Sequence, residues 1–322
     1  MSLITTDIEL ALDYLNRGEI VAIPTETVYG LAADATNEEA IRKIFLMKNR
    51  PLNHPLIMHV AETWNLEQWV SFIPDYAHIL MQHFWPGPLT LVMKCKPQAV
   101  SSCITGGQNT VALRCPQHPT AQNLLKRLGV PLVAPSANPF GKVSPTTAQH
   151  VKESFPDQNL LILDGGRCEV GIESTIVAAT AVNHYQILRH GTIDEQTIQQ
   201  LLPHIHEGDA GAIRAPGKLL SHYQPEKPLY CFPDQKSLQQ FCEENKLPVY
   251  IISFAEPKEF KSHPGDLFYQ FPLSPEKAAF ELYYQLRQAD HSHAFCIAIE
   301  LPPDNPEWLA VRERILKASY RE

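Results

Sequence analysis

The sequence contains no apolar run of the ~18 residues that a bilayer span requires. Its first residues, Met1 to Asp7, lack a basic stretch followed by an apolar core. Neither a membrane segment nor a secretory signal is expected. Cysteine is sparse and scattered: Cys95, Cys103, Cys115, Cys168, Cys231, Cys242 and Cys296 include no C-x-x-C pair. That argues against a zinc ribbon or a disulfide framework and predicts reduced, structural thiols in a cytoplasmic protein. An excess of positive charge is also missing. There are 27 basic and 35 acidic residues, a net charge of −8, divided evenly between the stretch up to His206 and the rest. A broad basic face is therefore not expected, and any anion site must be a local group of cations. The chain has no G-x-S-x-G elbow, H-E-x-x-H helix, G-x-G-x-x-G loop or phosphate-binding P-loop. His204-x-His206 and His291-x-His293 lack a cysteine or carboxylate at supporting spacing, so no metal site built from protein side chains is expected.

What is present is a chain of 322 residues, 44% apolar, long enough for two domains. The stretch Ile20 to Val60 predicts strand, polar turn (Thr25 to Leu31), helix, cationic loop and strand. Asn37 is the expected N-cap of that helix, with Glu38 and Glu39 in its first turn. Apolar periodicity places an earlier helix at Ile8 to Asn16, stopped by Gly18, and later ones at Pro74 to Phe84 and Thr120 to Leu128. Ser144-Pro145 predicts another helix start, reaching about Phe155, whose free N–H groups would suit an anion. Strands are predicted at 89–93, 110–114, 130–134, 160–163, 176–178 and 185–188, with a closing helix at 194–202. From His204 to Pro228 the pattern dissolves into a segment long enough for a functional lid, containing His222 and Tyr223. Beyond it, strands at 229–232, 249–254, 267–271 and 295–301 alternate with helices, which predicts a small parallel-type sheet. The expected organisation is a catalytic α/β domain with a mixed sheet over 1–206, a linker or lid over 207–228, and a smaller α/β domain over 229–322.

The chemistry-bearing residues lie in short polar loops at strand ends: Thr25 to Thr27, Lys48 to Arg50, Arg114, Ser136 to Asn138, Ser144, Glu173 to Thr175, and Arg189. Loops beyond strand ends are where α/β sheets place ligands. Cations and hydroxyls without a nucleophile–base pair suit phosphoryl or nucleotidyl chemistry, in which positioning and charge neutralisation dominate. Each loop by itself also fits ordinary turn chemistry.

Several runs, in order, resemble the YrdC family of threonylcarbamoyl-adenylate synthases. They are Pro24-Thr25-Glu26-Thr27-Val28-Tyr29-Gly30-Leu31, Lys48-x-Arg50-Pro51-x-x-x-Pro55-Leu56, Trp85 to Thr90, Pro135-Ser136-Ala137-Asn138, Ser144-Pro145-Thr146, Gly171 to Thr175 and Leu188-Arg189-x-Gly191. Pro216-Gly217, His222-Tyr223-x-Pro225 and the extra α/β domain resemble the family's two-domain branch. The resemblance implies a twisted sheet around a deep cavity and a Rossmann-like second domain. It implies formation of threonylcarbamoyl-AMP and pyrophosphate from L-threonine, bicarbonate and ATP, with Mg²⁺ accompanying ATP. The product would pass to a threonylcarbamoyl-transfer complex that modifies position 37 of tRNA. Thr27, His59, Arg114 and Ser174 would hold threonine. Arg50, His54, Thr110, Ser136, Asn138, Ser144, Arg189 and Tyr223 would contact the nucleotide, and Lys48 with Arg50 would act on the phosphates. The chain departs from the family pattern at His54 (usually Asn), at Phe140 (usually small) and at Lys218 (commonly Met). Two other readings are an RNA-binding module, in which Lys48, Arg50, Arg114 and Arg189 line a trough, and a carbamoyl-adenylate enzyme of a related branch. The even charge split opposes the first, and the second would normally carry zinc-finger or acylphosphatase-like modules that the sequence does not show.

Overall fold

The computed structural model describes residues 2–217 and 221–319. Lys218, one of the departures from the family pattern, lies outside the described residues, as do Leu219 and Leu220. The chain divides into two compact units, Met1–Phe140 with Pro145–Lys218, and Gly141–Ser144 with Leu219–Glu322.

In the first unit the chain runs β1 (Leu3–Thr5), α1 (Ile8–Asn16), β2 (Val21–Ile23), β3 (Gly30–Asp34), α2 (Glu38–Lys48), β4 (Ile57–His59) and α3 (Asp75–Phe84). It continues through β5 (Leu89–Lys94), α4 (Ser102–Thr105), β6 (Thr110–Arg114), α5 (Pro119–Leu128), β7 (Leu132–Val133) and α6 (Ala148–Ser154). It ends with β8 (Leu161–Leu163), β9 (Thr175–Ala178), β10 (His184–Arg189), α7 (Glu195–Leu201) and β11 (His206–Glu207). The strands form one mixed sheet in the order β1-β8-β2-β3-β7-β4-β6-β5-β9-β10-β11. The caps behave as their residue types require. Asp7 accepts from Leu10 N, Asn37 from the N–H groups of Glu39 and Ala40, and Gly18 takes φ +71° just past α1.

Three expectations are corrected. The polar turn read from Thr25 to Leu31 ends at Tyr29, because Gly30–Asp34 is a strand antiparallel to β2 and β7. Its Gly-Leu-Ala-Ala-Asp sequence has no β-branched residue, so its pairing comes from tertiary context. The helix expected to open at Ser144 begins at Ala148, capped by Thr147 Oγ1 on His150 N. A start at Ser144 needs the Pro145 and Thr146 carbonyls for i→i+4 bonds, but these accept from Tyr29 N and Cys168 N. Ser144 is therefore not at a helix N-terminus. Finally, His206–Glu207 pairs in parallel with β10, so the first residues of the segment read as structureless extend the sheet.

Strand alternation makes the site. Along β4, β5, β6 and β9, Met58, Leu89, Leu91, Met93, Val111, Leu113 and Val177 enter the main core. The opposite side carries Ile57, Val92, Ala112, Ile176 and Ala178, against which Ala210, Ile213 and Ala215 pack. By the two-residue period, His59, Thr90, Thr110 and Arg114 share that second side. Cross-strand register then sets His59 opposite Arg114, and Arg114 opposite Thr90. His59, Thr90 and Arg114 thus form a polar row at one level of the sheet, with Thr110 on the same side at the opposite end of β6.

The second unit contains β12 (Leu229–Phe232), α8 (Gln235–Glu244), β13 (Val249–Ser253), β14 (Leu267–Gln270), α9 (Pro275–His291), β15 (Cys296–Glu300) and α10 (Leu309–Ser319). Its four strands are all parallel, in the order β12-β15-β13-β14, as the alternation predicts. Leu238, Cys242, Val249, Ile251, Cys296 and Ala298 form a core there. Ser274 caps α9 with Pro275 at its first position. Among the described residues no helix is long and apolar enough to cross a membrane.

Candidate functional site

Two groups of polar side chains converge within the first unit. The first is built around Arg114, at the end of β6 and only 4% exposed. Its Nη2 donates to Glu26 Oε1 at 2.7 Å, while its Nε is buried with no hydrogen-bond partner. Glu26 Oε2 accepts from Gln117 N at 3.0 Å. Thr27 is fully buried beside Glu26, with its hydroxyl 3.0 Å from that of Thr25. This β2–β3 loop is tied to the loop before β9, since Val170 N donates to Glu26 O and Gly171 N to Thr27 O. The second loop carries Ser174, whose Oγ is 2.8 Å from Thr90 Oγ1. Arg189 completes the group, with Nε on Ser174 O at 3.0 Å, Nη2 on Ser174 Oγ at 3.1 Å and Nη1 on Pro216 O at 3.4 Å. His59 is buried beside Arg114. Burial, then the Arg114 charge, lowers its pKa to about 3, so the imidazole is neutral at ordinary pH.

Gly191 sets the seat of Arg189. A Cβ there would lie 2.4 Å from Thr175 N and 2.8 Å from Ser174 C, both backbone atoms that cannot yield. Gly191→Ala is expected to destabilise the protein by about 1–3 kcal/mol and to lower turnover by displacing Arg189 from Ser174. Denaturant unfolding and initial rates would check this, and unchanged rates would remove Arg189 from the site.

The second group surrounds Lys48, the last residue of α2. Its Nζ donates to the carbonyls of Ser136 and Asn138, holding the loop after β7 and leaving one ammonium donor. That loop is also laced to β3, through Leu31 N on Pro135 O and Ala137 N on Tyr29 O. Burial and the neighbouring Arg50 push the Lys48 pKa well below its ordinary value, partly opposed by Glu173. Burial, then Arg189, lowers that of Arg50 to about 10. Arg50 Nη2 donates to Pro55 O at 2.9 Å, and its Nε is buried without a partner. Mutual repulsion among Lys48, Arg50 and Arg189 is the electrostatic mark of a place suited to an anion.

Two of the departures meet here. The His54 ring sits edge-on to Phe140 at 5.1 Å, and the Arg50 guanidinium lies 5.6 Å over the same ring. His54 and Phe140 thus form one contact that also takes up Arg50. Burial, followed by Arg50 and Arg214, lowers the His54 pKa.

Of the residues singled out from sequence, Thr27, His59, Arg114, Ser174 and Arg189 come together in one group. Lys48, Arg50, His54, Ser136 and Asn138 form the other. Thr110 opens β6 on the same side as Arg114. Ser144 and Tyr223 belong to the second unit. There, Arg287 Nε donates to Ser144 O at 3.4 Å, and Tyr223, with φ +63°, stacks on Tyr283 at 5.6 Å. Glu26 was missed. It stands inside the hydroxyl loop, but its partner is 88 positions away. A carboxylate amid residues destined for burial was the only signal, since such a charge needs a cation.

A sequence model of the Sua5/YciO/YrdC family, described as telomere recombination, matches residues 13–191. A second, described as the threonylcarbamoyl-AMP synthase C-terminal domain, matches residues 193–319. The chain belongs to the Sua5/YciO/YrdC family. Within it, the chain is 37% identical to a Bacillus subtilis protein named threonylcarbamoyl-AMP synthase, over 95% of this chain and 90% of that one. It is 36% identical to the Pyrococcus abyssi protein of the same name, over 98% and 94%. The structure of P. abyssi Sua5 complexed with L-threonine superposes with a TM-score of 0.87 at 33% identity, covering 99% of this chain and 97% of that one. The two-domain α/β architecture inferred from sequence is thus that of the P. abyssi structure.

Proposed function

We propose that the protein is an L-threonylcarbamoyladenylate synthase, a nucleotidyltransferase acting on L-threonine, bicarbonate and ATP. The observation that carries this reading is the pairing of two unlike ends. One offers a buried arginine with unengaged donors among hydroxyls and a neutral imidazole, suited to a small hydroxy amino acid. The other gathers Lys48 and Arg50, with Arg189 of the first group near enough to repel Arg50, and is suited to a polyphosphate. Arg114 takes the threonine carboxylate through its forked donors, Thr27 and Ser174 take polar groups of the amino acid, and His59 adds an uncharged ring nitrogen. Arg50 and the remaining donor of Lys48 face the phosphates. Ser136, Asn138, Thr110 and His54 are the further nucleotide contacts of this reading.

Chemically, the threonine amine and bicarbonate give a carbamate with loss of water. A carbamate oxygen then attacks the α-phosphorus, and pyrophosphate leaves with the electron pair of the broken P–O bond. No enzyme nucleophile is needed. Positioning and charge neutralisation supply the rate. Among the described residues no three His, Cys, Asp or Glu side chains converge as metal ligands. In this reading Mg²⁺ enters with the substrate, as MgATP, and no step is assigned to it. The product serves threonylcarbamoyladenosine formation on tRNA through a separate transfer complex in the cytoplasm, in keeping with seven free cysteines.

Purified protein is expected to release pyrophosphate only when ATP, bicarbonate and L-threonine are all present. Release without threonine, or none with all three, would overturn this function.

A further inference from the structure

The mechanism above leaves a buried carboxylate beside Arg114 without a task. Glu26 is 2% exposed and accepts from Arg114 and from the backbone of Gln117. Among the described residues Arg114 has no other carboxylate partner, and its buried Nε has none at all. An anion on the remaining donors of Arg114 therefore sits close to a second, fixed carboxylate. In a buried setting that repulsion is scarcely screened by salt. An anionic ligand is consequently disfavoured unless it brings a positive charge of its own. The loop geometry keeps the carboxylate in place. Glu26 O is held by Val170 N, and Thr27 O by Gly171 N, so Glu26 cannot withdraw without breaking the tie to the Ser174 loop.

The geometry points to Glu26 as a specificity-determining residue. With Arg114 it forms a matched pair of opposite charges that selects a zwitterionic α-amino acid over the corresponding hydroxy acid, the substrate ammonium lying toward Glu26 and its carboxylate on Arg114. Unlike the hydroxyls of Thr27 and Ser174, which suit the substrate side chain, this pair reads the backbone end of the amino acid. It also orients the Arg114 fork, since one guanidinium edge is fixed by Glu26 and the other is left facing the ligand. Specificity here has a repulsive part as well as an attractive one. This inference rests on the amino-acid reading of the Arg114 end.

The test uses the full chain and calorimetric titration with L-threonine and with (R)-3-hydroxybutyrate, which is threonine without its amine. Wild-type protein is expected to favour threonine by at least about tenfold, the ratio expected of a charge mismatch of roughly 1.4 kcal/mol. In Glu26→Gln, threonine should weaken by about tenfold while (R)-3-hydroxybutyrate binds as well as before or better, so the preference collapses to within about twofold. Glu26→Asp, which keeps the charge, should restore part of it, and ATP affinity should remain within about twofold in both variants. Loss of both acids together in Glu26→Gln, or an unchanged ratio, would reduce Glu26 to a structural group and overturn the inference. If the variant does not fold, the wild-type protein decides the matter. Equal affinity for threonine and (R)-3-hydroxybutyrate overturns the proposal, whereas rejection of both the hydroxy acid and the cationic L-threonine methyl ester upholds it. Threonine-dependent pyrophosphate release by the wild type separates the two levels. Release with no discrimination sinks the role of Glu26 alone, and no threonine binding at all sinks the amino-acid reading with it.

Discussion

Arg114→Lys is expected to lower kcat/KM for L-threonine by about 100-fold, close to 2.7 kcal/mol of transition-state stabilisation, with the KM for ATP unchanged within about twofold. Lysine keeps the positive charge opposite Glu26, so the buried ion pair survives and the fold with it. The planar fork is what disappears. Arg114 places one donor on Glu26 at 2.7 Å and still has others in fixed directions for a carboxylate. A single ammonium cannot meet Glu26 and grip a second carboxylate in two-point fashion. Arg114→Ala tests a different property, because it leaves the Glu26 carboxylate buried without its cation and should cost about 3–5 kcal/mol of stability. Initial rates of pyrophosphate release with each substrate varied, together with urea unfolding, separate the two effects. Equal losses in threonine and ATP would contradict the clamp.

How far such roles could be read from the chain alone differs from residue to residue. The helices were legible where an apolar stripe and a cap agreed, as in α1 and α2, and β6 was legible from Thr-Val-Ala-Leu-Arg. The parallel second sheet followed from its alternation of strands and helices. The misreadings share one cause, a backbone group committed to a distant partner. Ser144-Pro145 has the form of a helix start, yet Tyr29 and Cys168 take the carbonyls that a helix there would use. Gly30–Asp34 carries no intrinsic strand preference and becomes one between β2 and β7. Glu26 is silent in sequence for the same reason, because its meaning lies in Arg114 and Gln117. The polar loops themselves were legible because their residue types are incompatible with burial unless something holds them. What the sequence withheld was which loop holds which: Lys48 on the Ser136–Asn138 loop, Arg189 on Ser174, and Phe140 between His54 and Arg50.

Acidification from pH 6.5 to about 3 is expected to remove stability through His59, by as much as about 5 kcal/mol in the limit of a fully depressed pKa. The folded imidazole has a pKa of about 3, lowered by burial and by Arg114, against 6.5 for an ordinary histidine. Between these values the unfolded chain holds a proton on this residue that the folded one does not. The stabilisation is therefore complete above pH 6.5, falls as the pH drops through that window, and changes no further below about 3. His59→Gln keeps a polar, uncharged side chain and removes the titration, so its urea stability should fall less steeply over the same range. Acid losses that do not involve residue 59 are common to both proteins and drop out of the difference. Parallel pH profiles for wild type and His59→Gln would show that His59 is not buried as a neutral ring. The same neutrality bears on the site. With His59 uncharged, Arg114 is the cation beside it, so threonine affinity should show no titration near pH 6.5. A threonine KM that rises or falls through that pH in wild type but not in His59→Gln would place a charged imidazole at the amino-acid end instead.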